Sequence, residues 1–196
     1  MAERKATVAR ETKETSVKVE LNIDGKGQFE ITTGIRFFDH MLSQLAQHGT
    51  FDLKLSATGA DQHHVVEDVA ISLGKALNQS LGDKRGIVRM AHALVPMDET
   101  LAMVALDISG RGYATFEASF NSTTIEKMST DLLRHFFVSL ASEAKLNIHA
   151  KVLSGIDDHH KAESLFKALA RALDAATRLD ERIAGRIPST KDTIES

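Results

Sequence analysis

The chain contains no cysteine among its 196 residues. That excludes disulfides and thiolate metal ligands, so any metal must sit on nitrogen and oxygen donors. There is no long basic run, and the formal net charge is -3, so the electrostatic footprint of a nucleic-acid binder is missing. No apolar stretch reaches the roughly 20 residues of a membrane span. The N-terminus lacks the apolar core of a secretory leader. A cytoplasmic protein with neither nucleic acid nor membrane as partner is the expectation. No Pro- or Gly-rich linker divides the chain, and 42% hydrophobic residues suit one globular unit or two small ones.

What is abundant is histidine, with nine residues, and six of them fall in repeated segments. The string His63-His64-Val65-Val66-Glu67 recurs as His159-His160-Lys161-Ala162-Glu163, 96 positions later. On a helix, a histidine and a glutamate three or four positions apart share a face. Imidazole and carboxylate together are ligands for divalent first-row metals.

The rest of the chain repeats around these strings. Val17 to Ile23 alternates apolar and polar residues, Asp24-Gly25-Lys26-Gly27 signals a turn, and Gln28 to Ile31 alternates again, which reads as a hairpin. Phe38, Met41, Leu42 and Leu45 recur at helical spacing toward Gly49, a C-cap residue by type. Phe51 to Leu55 reads as a strand, Thr58 to His63 as a polar loop, and Val65 onward as a second helix ending by Gly82. Val104 to Gly112 matches Val19 to Gly27 at an offset of 85, as Glu99-Thr100 matches Glu14-Thr15. His135 then matches His40 at an offset of 95. The change of offset puts about ten extra residues near Asn121–Met128, where a longer connection is tolerated.

The fold class expected is therefore α/β (α+β), an internal duplication of a strand–strand–helix–strand–helix unit. Residues 1–90 form the first repeat, 91–182 the second and 183–196 a flexible tail, with Arg85 to Pro96 as the boundary. Residues 1–16 read as a mobile polar segment. Each half alone is marginal in size, so the halves are expected to pack through their helices, sheets outside.

His40 and His135 sit early in the first helix of each half, which gives six histidines and two glutamates. These fit two metal sites of three histidines and one glutamate each. Adjacent histidines point about 100° apart on a helix. One of each pair is expected to serve its own half, and the other a second site, which could lie across a subunit boundary. His48 ends its helix, where an imidazolium suits the dipole or where it could line a pocket. Arg111 lies between Gly110 and Gly112, which permit close approach of a ligand. Arg89 and Lys167 read as helix-region cations. Ser189-Thr190-Lys191, after Pro188, combines a hydroxyl, backbone N–H groups and an amine that could grip a phosphate.

Phe38 to Leu42, His63 to Asp68, Ser109-Gly110-Arg111 and Asp158 to Glu163 together resemble the imidazoleglycerol-phosphate dehydratase family, from Arg10 to Lys191. The resemblance implies two four-stranded sheets with helices packed between them. It implies dehydration of imidazoleglycerol phosphate to imidazole-acetol phosphate in histidine biosynthesis, through a metal-stabilised imidazolate. Two Mn2+ ions per active site are expected, in a homo-oligomer of 24 subunits with sites built between them. The implied metal ligands are His40, His63, His64, Glu67, His135, His159, His160 and Glu163. Glu14 and Asp98 match acid/base positions. Arg89, Arg111, Lys167, Ser189 and Lys191, with the adjoining Thr190, match phosphate-contacting positions, and His48 a substrate-pocket position. Two rival readings of the same residues are a two-metal phosphate-ester hydrolase and a metal-assembled storage shell.

Overall fold

The computed structural model describes residues 3–183 and 185–194. The first half runs β1 (Lys5–Glu11), β2 (Thr15–Asn22), β3 (Phe29–Thr32), α1 (Arg36–Gly49), β4 (Asp52–Gly59) and α2 (Gln62–Leu81). The second half repeats the order as β5 (Met90–Met97), β6 (Thr100–Asp107), β7 (Tyr113–Glu117), α3 (Asp131–Ala144), β10 (Asn147–Ser154) and α4 (Asp158–Thr177). The extra residues expected near Asn121 form a small ribbon, β8 (Thr124–Ile125) and β9 (Met128–Ser129). Each half makes a four-stranded sheet, ordered β1-β2-β4-β3 and β5-β6-β10-β7. Among the described residues, no helix is long and apolar enough to cross a membrane.

Two expectations are corrected here. The repeat has one more strand at its start: β1 lies in the segment read as mobile, and β5 lies in the stretch read as a boundary. β1 carries one large apolar side chain, Val8, and β5 contains Pro96, so neither advertises itself. Pro96 is tolerated because β5 is an edge strand. The second correction concerns the hairpin. β2 and β3 do not pair: β4 lies between them, antiparallel to β2 and parallel to β3. Asp52, opening β4, draws the connecting loop across this gap by accepting the Lys26 N–H at 2.8 Å and the Gln28 N–H at 3.1 Å. The true hairpins are β1–β2 and β5–β6, closed by the turns that carry Glu14 and Asp98.

The helices pack across the halves, α2 against α3 and α1 against α4, while α2 and α4 cover their own sheets. Phe38 of α1 meets Phe136 of α3, and Phe136 stacks on Phe166 of α4 with centroids 5.0 Å apart, so both halves share one core. Asp61 starts α2 by accepting the His64 N–H, and Asp157 starts α4 by accepting those of His159 and His160. Each HHxxE string thus opens a capped helix, its histidines in the first turn and its glutamate in the second. The C-cap of α1 is Thr50, left-handed at φ 58°, rather than Gly49. Gly49 leaves room for the Phe51 ring, which an added Cβ would meet at 2.6 Å. Gly74 holds α2 against α3, where a Cβ would lie 2.8 Å from Glu143 Cβ and 2.9 Å from the Leu140 carbonyl oxygen. Gly74→Ala is expected to cost about 1–3 kcal/mol. A fall of several degrees in Tm, followed by circular dichroism, checks this; an unchanged Tm would show that the helix pair gives way freely.

Candidate active site

The crossing of the helices decides where the histidines meet. His40 Nε2 of α1 lies 3.1 Å from Glu163 Oε2 of α4, and His159 Nε2 lies 3.1 Å from the same oxygen. These three side chains present donor atoms all within 4.8 Å of one another. The matching trio is His135 of α3 with His63 and Glu67 of α2. The His63 and His135 rings are 4.8 Å apart, and His63 Nε2 is 3.9 Å from Glu67 Oε2. Each trio therefore takes its lone histidine from one half and its HHxxE residues from the other. The expectation that one histidine of each pair serves its own half is corrected: His63 and His159 each meet the first helix of the opposite half.

His64 and His160 turn away from the trios, as neighbours about 100° apart on a helix must. Asp61 Oδ2 accepts from His64 Nδ1 at 2.6 Å, leaving Nε2 facing Glu14 at 3.3 Å. Glu99 Oε2 accepts from His160 Nδ1 at 2.9 Å, leaving Nε2 toward Asp98 at 3.7 Å. Both carboxylates raise the pKa of their histidine above the ordinary imidazole value. Glu99 also accepts the Ile156 and Asp157 N–H groups, and the His160 bond with these holds its carboxyl far below the usual range. Glu14 and Asp98, by contrast, are largely exposed at the tips of their turns, with side chains 59% and 77% accessible. Burial works against ionisation of Glu163, yet its bonds to Lys167 and His40 outweigh it and bring the pKa down to about 2.

The cations divide into two places. Arg89, Arg111, Ser189, Thr190 and Lys191 line one cleft of about 830 Å3, together with Arg186. Arg89 is not helical. It precedes β5 at a left-handed φ of 79°, clamped by Asp107 (Nε to Oδ1 2.8 Å) and donating from Nη1 to the Pro188 carbonyl at 2.7 Å. That bond fixes the base of the Ser189–Lys191 turn. The tail, expected to be flexible, also buries Ile194. Gly112 serves close approach to the α3 backbone at Ser142 (2.4 Å for an added Cβ) rather than to a ligand. Lys167 lies at the other place, donating to Glu163 Oε1 at 2.7 Å. His48 is near it, its pKa lowered by burial and then by the charges of Lys167 and Arg171. The Arg89 N–H bonds the Ala176 carbonyl, 13 residues along α4 from Glu163, which places cleft and trio roughly 20 Å apart in one chain.

A family model described as imidazoleglycerol-phosphate dehydratase matches residues 33–173, the span of both trios. The chain belongs to this family. Among similar proteins, the imidazoleglycerol-phosphate dehydratase of Dehalococcoides mccartyi strain 195 is 58% identical over 196 residues, the whole of both chains. That of Methanothermobacter thermautotrophicus is 53% identical, covering 97% of this chain and 98% of its own. The Staphylococcus aureus structure superposes with a TM-score of 0.83 at 34% identity, over 90% of this chain and 99% of that one. The Pyrococcus furiosus structure, a complex with (S)-C348, gives 0.83 at 35%, over 95% and 99%. An imidazoleglycerol-phosphate dehydratase is a hydro-lyase of histidine biosynthesis acting on a phosphorylated imidazole. Family membership thereby decides for dehydration and against the hydrolase and storage readings of the same residues.

Some functional neighbours had no clear signal in sequence. Glu126, at the tip of the β8–β9 ribbon, comes within 3.4 Å of His159 Nδ1. The Lys127 carbonyl beside it accepts from the Gln62 side-chain amide at 3.1 Å. The ten-residue change of offset marked the insertion, though not its purpose. Asp61 and Glu99 could have been found from the carboxylate that a ligating histidine usually needs on its other nitrogen.

Proposed function

We propose that the dehydration is metal-dependent, that Mn2+ is the ion, and that each working site draws on more than one copy of the chain. The donor chemistry supports the first part. The His40–His159–Glu163 trio and its counterpart of His63, His135 and Glu67, without any thiolate, suit a divalent ion such as manganese, and Asp61 and Glu99 leave His64 Nε2 and His160 Nε2 free to act as further ligands. Ions bound there would supply Lewis acidity at the ring nitrogens of the substrate, favouring loss of the ring proton. The product is imidazole-acetol phosphate, and the protein works in the cytoplasm.

The remaining steps belong to the chain's own groups. Glu14 and Asp98 are the proton carriers: one protonates the departing hydroxyl, releasing water, and the other takes the proton from the neighbouring carbon. The enol so formed ketonises. Glu99 cannot share this work, since two backbone N–H groups and His160 already occupy its oxygens. Arg111, Ser189 and Lys191 hold the phosphate, with Arg89 fixing the turn that presents them, and binding energy there orients the reacting end. Lys191→Ala is expected to raise KM about tenfold, with a smaller fall in kcat, in steady-state assays. An unchanged kcat/KM in a chain truncated after Pro188 would remove the phosphate role from the tail.

The observation that carries the shared site is the separation of roughly 20 Å between cleft and trio. A phosphorylated imidazole of this size spans only about 10 Å on ordinary bond lengths. A second copy must bring a cleft to each trio, which fits a closed shell of 24 subunits. Co-assembly tests it. Chains truncated after Pro188 and chains carrying Glu163→Gln, each inactive alone, should regain activity when unfolded together, mixed and reassembled with Mn2+. About a quarter of the sites then receive both intact halves. No recovery would confine the site to one chain.

A further inference from the structure

Behind the Glu14 turn lies a partly buried charged network, centred on Asp68, that the chemistry above does not use. Asp68 follows Glu67 on α2 and is 7% exposed. Its Oδ1 accepts from Arg10 Nε of β1 at 2.7 Å, and its Oδ2 accepts from the Thr15 hydroxyl at the start of β2. The Thr15 hydroxyl lies 3.1 Å from that of Thr12. Thr12 Oγ1 in turn accepts the N–H groups of Glu14 at 3.1 Å and Thr15 at 3.0 Å.

Counting protons orders this chain. The Thr15 hydroxyl has one proton, and Asp68 takes it. Thr15 Oγ1 is then an acceptor for the Thr12 hydroxyl, which it shares with the Thr15 carbonyl at 3.4 Å. Thr12 Oγ1 has both lone pairs directed at the turn amides. One carboxylate thus sets the direction of two hydroxyls and, through them, the backbone on either side of Glu14. Asp68 also stands on the helix that carries His63, His64 and Glu67, so turn and trio are tied through a single side chain.

The duplication supplies an internal control. At the matching positions of the second half, Arg10 becomes Val95, Thr12 becomes Met97 and Asp68 becomes Ser164. Ser164 merely donates to the Lys161 carbonyl, and the Thr100 hydroxyl donates to Glu99. The β5–β6 hairpin still forms on α4 without the charged network. The hairpin fold therefore does not require it, and its presence only behind Glu14 needs another explanation.

We propose that Asp68 is a positioning residue that holds the Glu14 turn in register with the α2 ligands. The inference rests on Glu14 as a proton carrier, and its test separates the two. Asp68→Asn keeps the shape and one acceptor. It is expected to lower kcat about 100-fold with little change in KM, metal content or assembly. In a Glu14→Gln background the same change should lower kcat less than about threefold, because Asp68 acts through Glu14. Thr15→Ser should retain most turnover and Thr15→Val should mimic Asp68→Asn. Amide hydrogen exchange gives a readout independent of turnover: in Asp68→Asn, residues 12–15 should exchange about tenfold faster while α2 and β4 keep their protection. Equal losses of kcat in both backgrounds, or unchanged exchange at residues 12–15, would overturn the positioning role. Full turnover by Glu14→Gln with faster exchange in Asp68→Asn would instead fail the proton-carrier reading and uphold the anchoring.

Discussion

Replacing Glu14 by glutamine lowers kcat on the order of a thousandfold, while metal content and assembly stay as in the unaltered protein. The amide keeps the shape of the side chain and cannot take a proton. Glu14 suits the test because its tip, 3.3 Å from His64 Nε2, is the loosest of the histidine's carboxylate contacts. Asp61 already fixes His64 from Nδ1 at 2.6 Å, so the imidazole keeps its tautomer and aim when Glu14 changes. A fall in bound manganese or a smaller particle in this variant would make Glu14 a metal-site prop instead. The contrast is Glu99→Gln. That change loosens the His160 ring and the Ile156 and Asp157 amides together, so it should release metal as well as slow turnover.

The sequence made the helices and the duplication legible, because each has a local period or a repeated string. HHxxE places histidine and glutamate on one face by helix geometry alone, and both copies do open helices. Partners of long range were less legible. Nothing in the strings says that α1 packs on α4 rather than on α2, yet this crossing sets His40 beside Glu163 and His135 beside His63. β1 escaped because Arg10 points inward at a position where an apolar residue would signal burial, and its charge is satisfied by Asp68, 58 positions away. The β2–β3 hairpin was misread for a related reason. Turn chemistry at Asp24 to Gly27 is real, but β4 inserts between the strands, and local alternation carries no information about which strand comes next in a sheet. Likewise Arg89 looked helical, whereas its clamp on Asp107 and Pro188 joins residues 18 and 99 positions apart.

Acid should strip the metal before it unfolds the chain. His64 and His160 carry pKa values raised by Asp61 and Glu99, so in the metal-free chain their ion pairs stabilise the fold fully below about 6.5. That contribution is lost only as pH rises through the raised values. Glu163 is depressed to about 2, so its contribution is present above the ordinary carboxylate value of about 4.5 and fades as pH falls toward 2. Between about pH 4.5 and 6.5 both contributions are in place. Protons nevertheless compete with the metal for the same imidazoles, and they are held at His64 and His160 to a higher pH than on a free histidine. Bound manganese should therefore begin to leave above pH 6.5 and be largely gone by pH 5, with the circular dichroism spectrum unchanged. His64 and His160 are the pair members that face away from the trios. If they complete sites on neighbouring copies, the shell should break into smaller oligomers over the same pH range, and at neutral pH under a chelator. Manganese at neutral pH should restore size and turnover together. Light scattering and circular dichroism on one sample decide the matter. Particles that keep their size without metal, and rebind it without change, would mean that apolar packing rather than metal joins the copies.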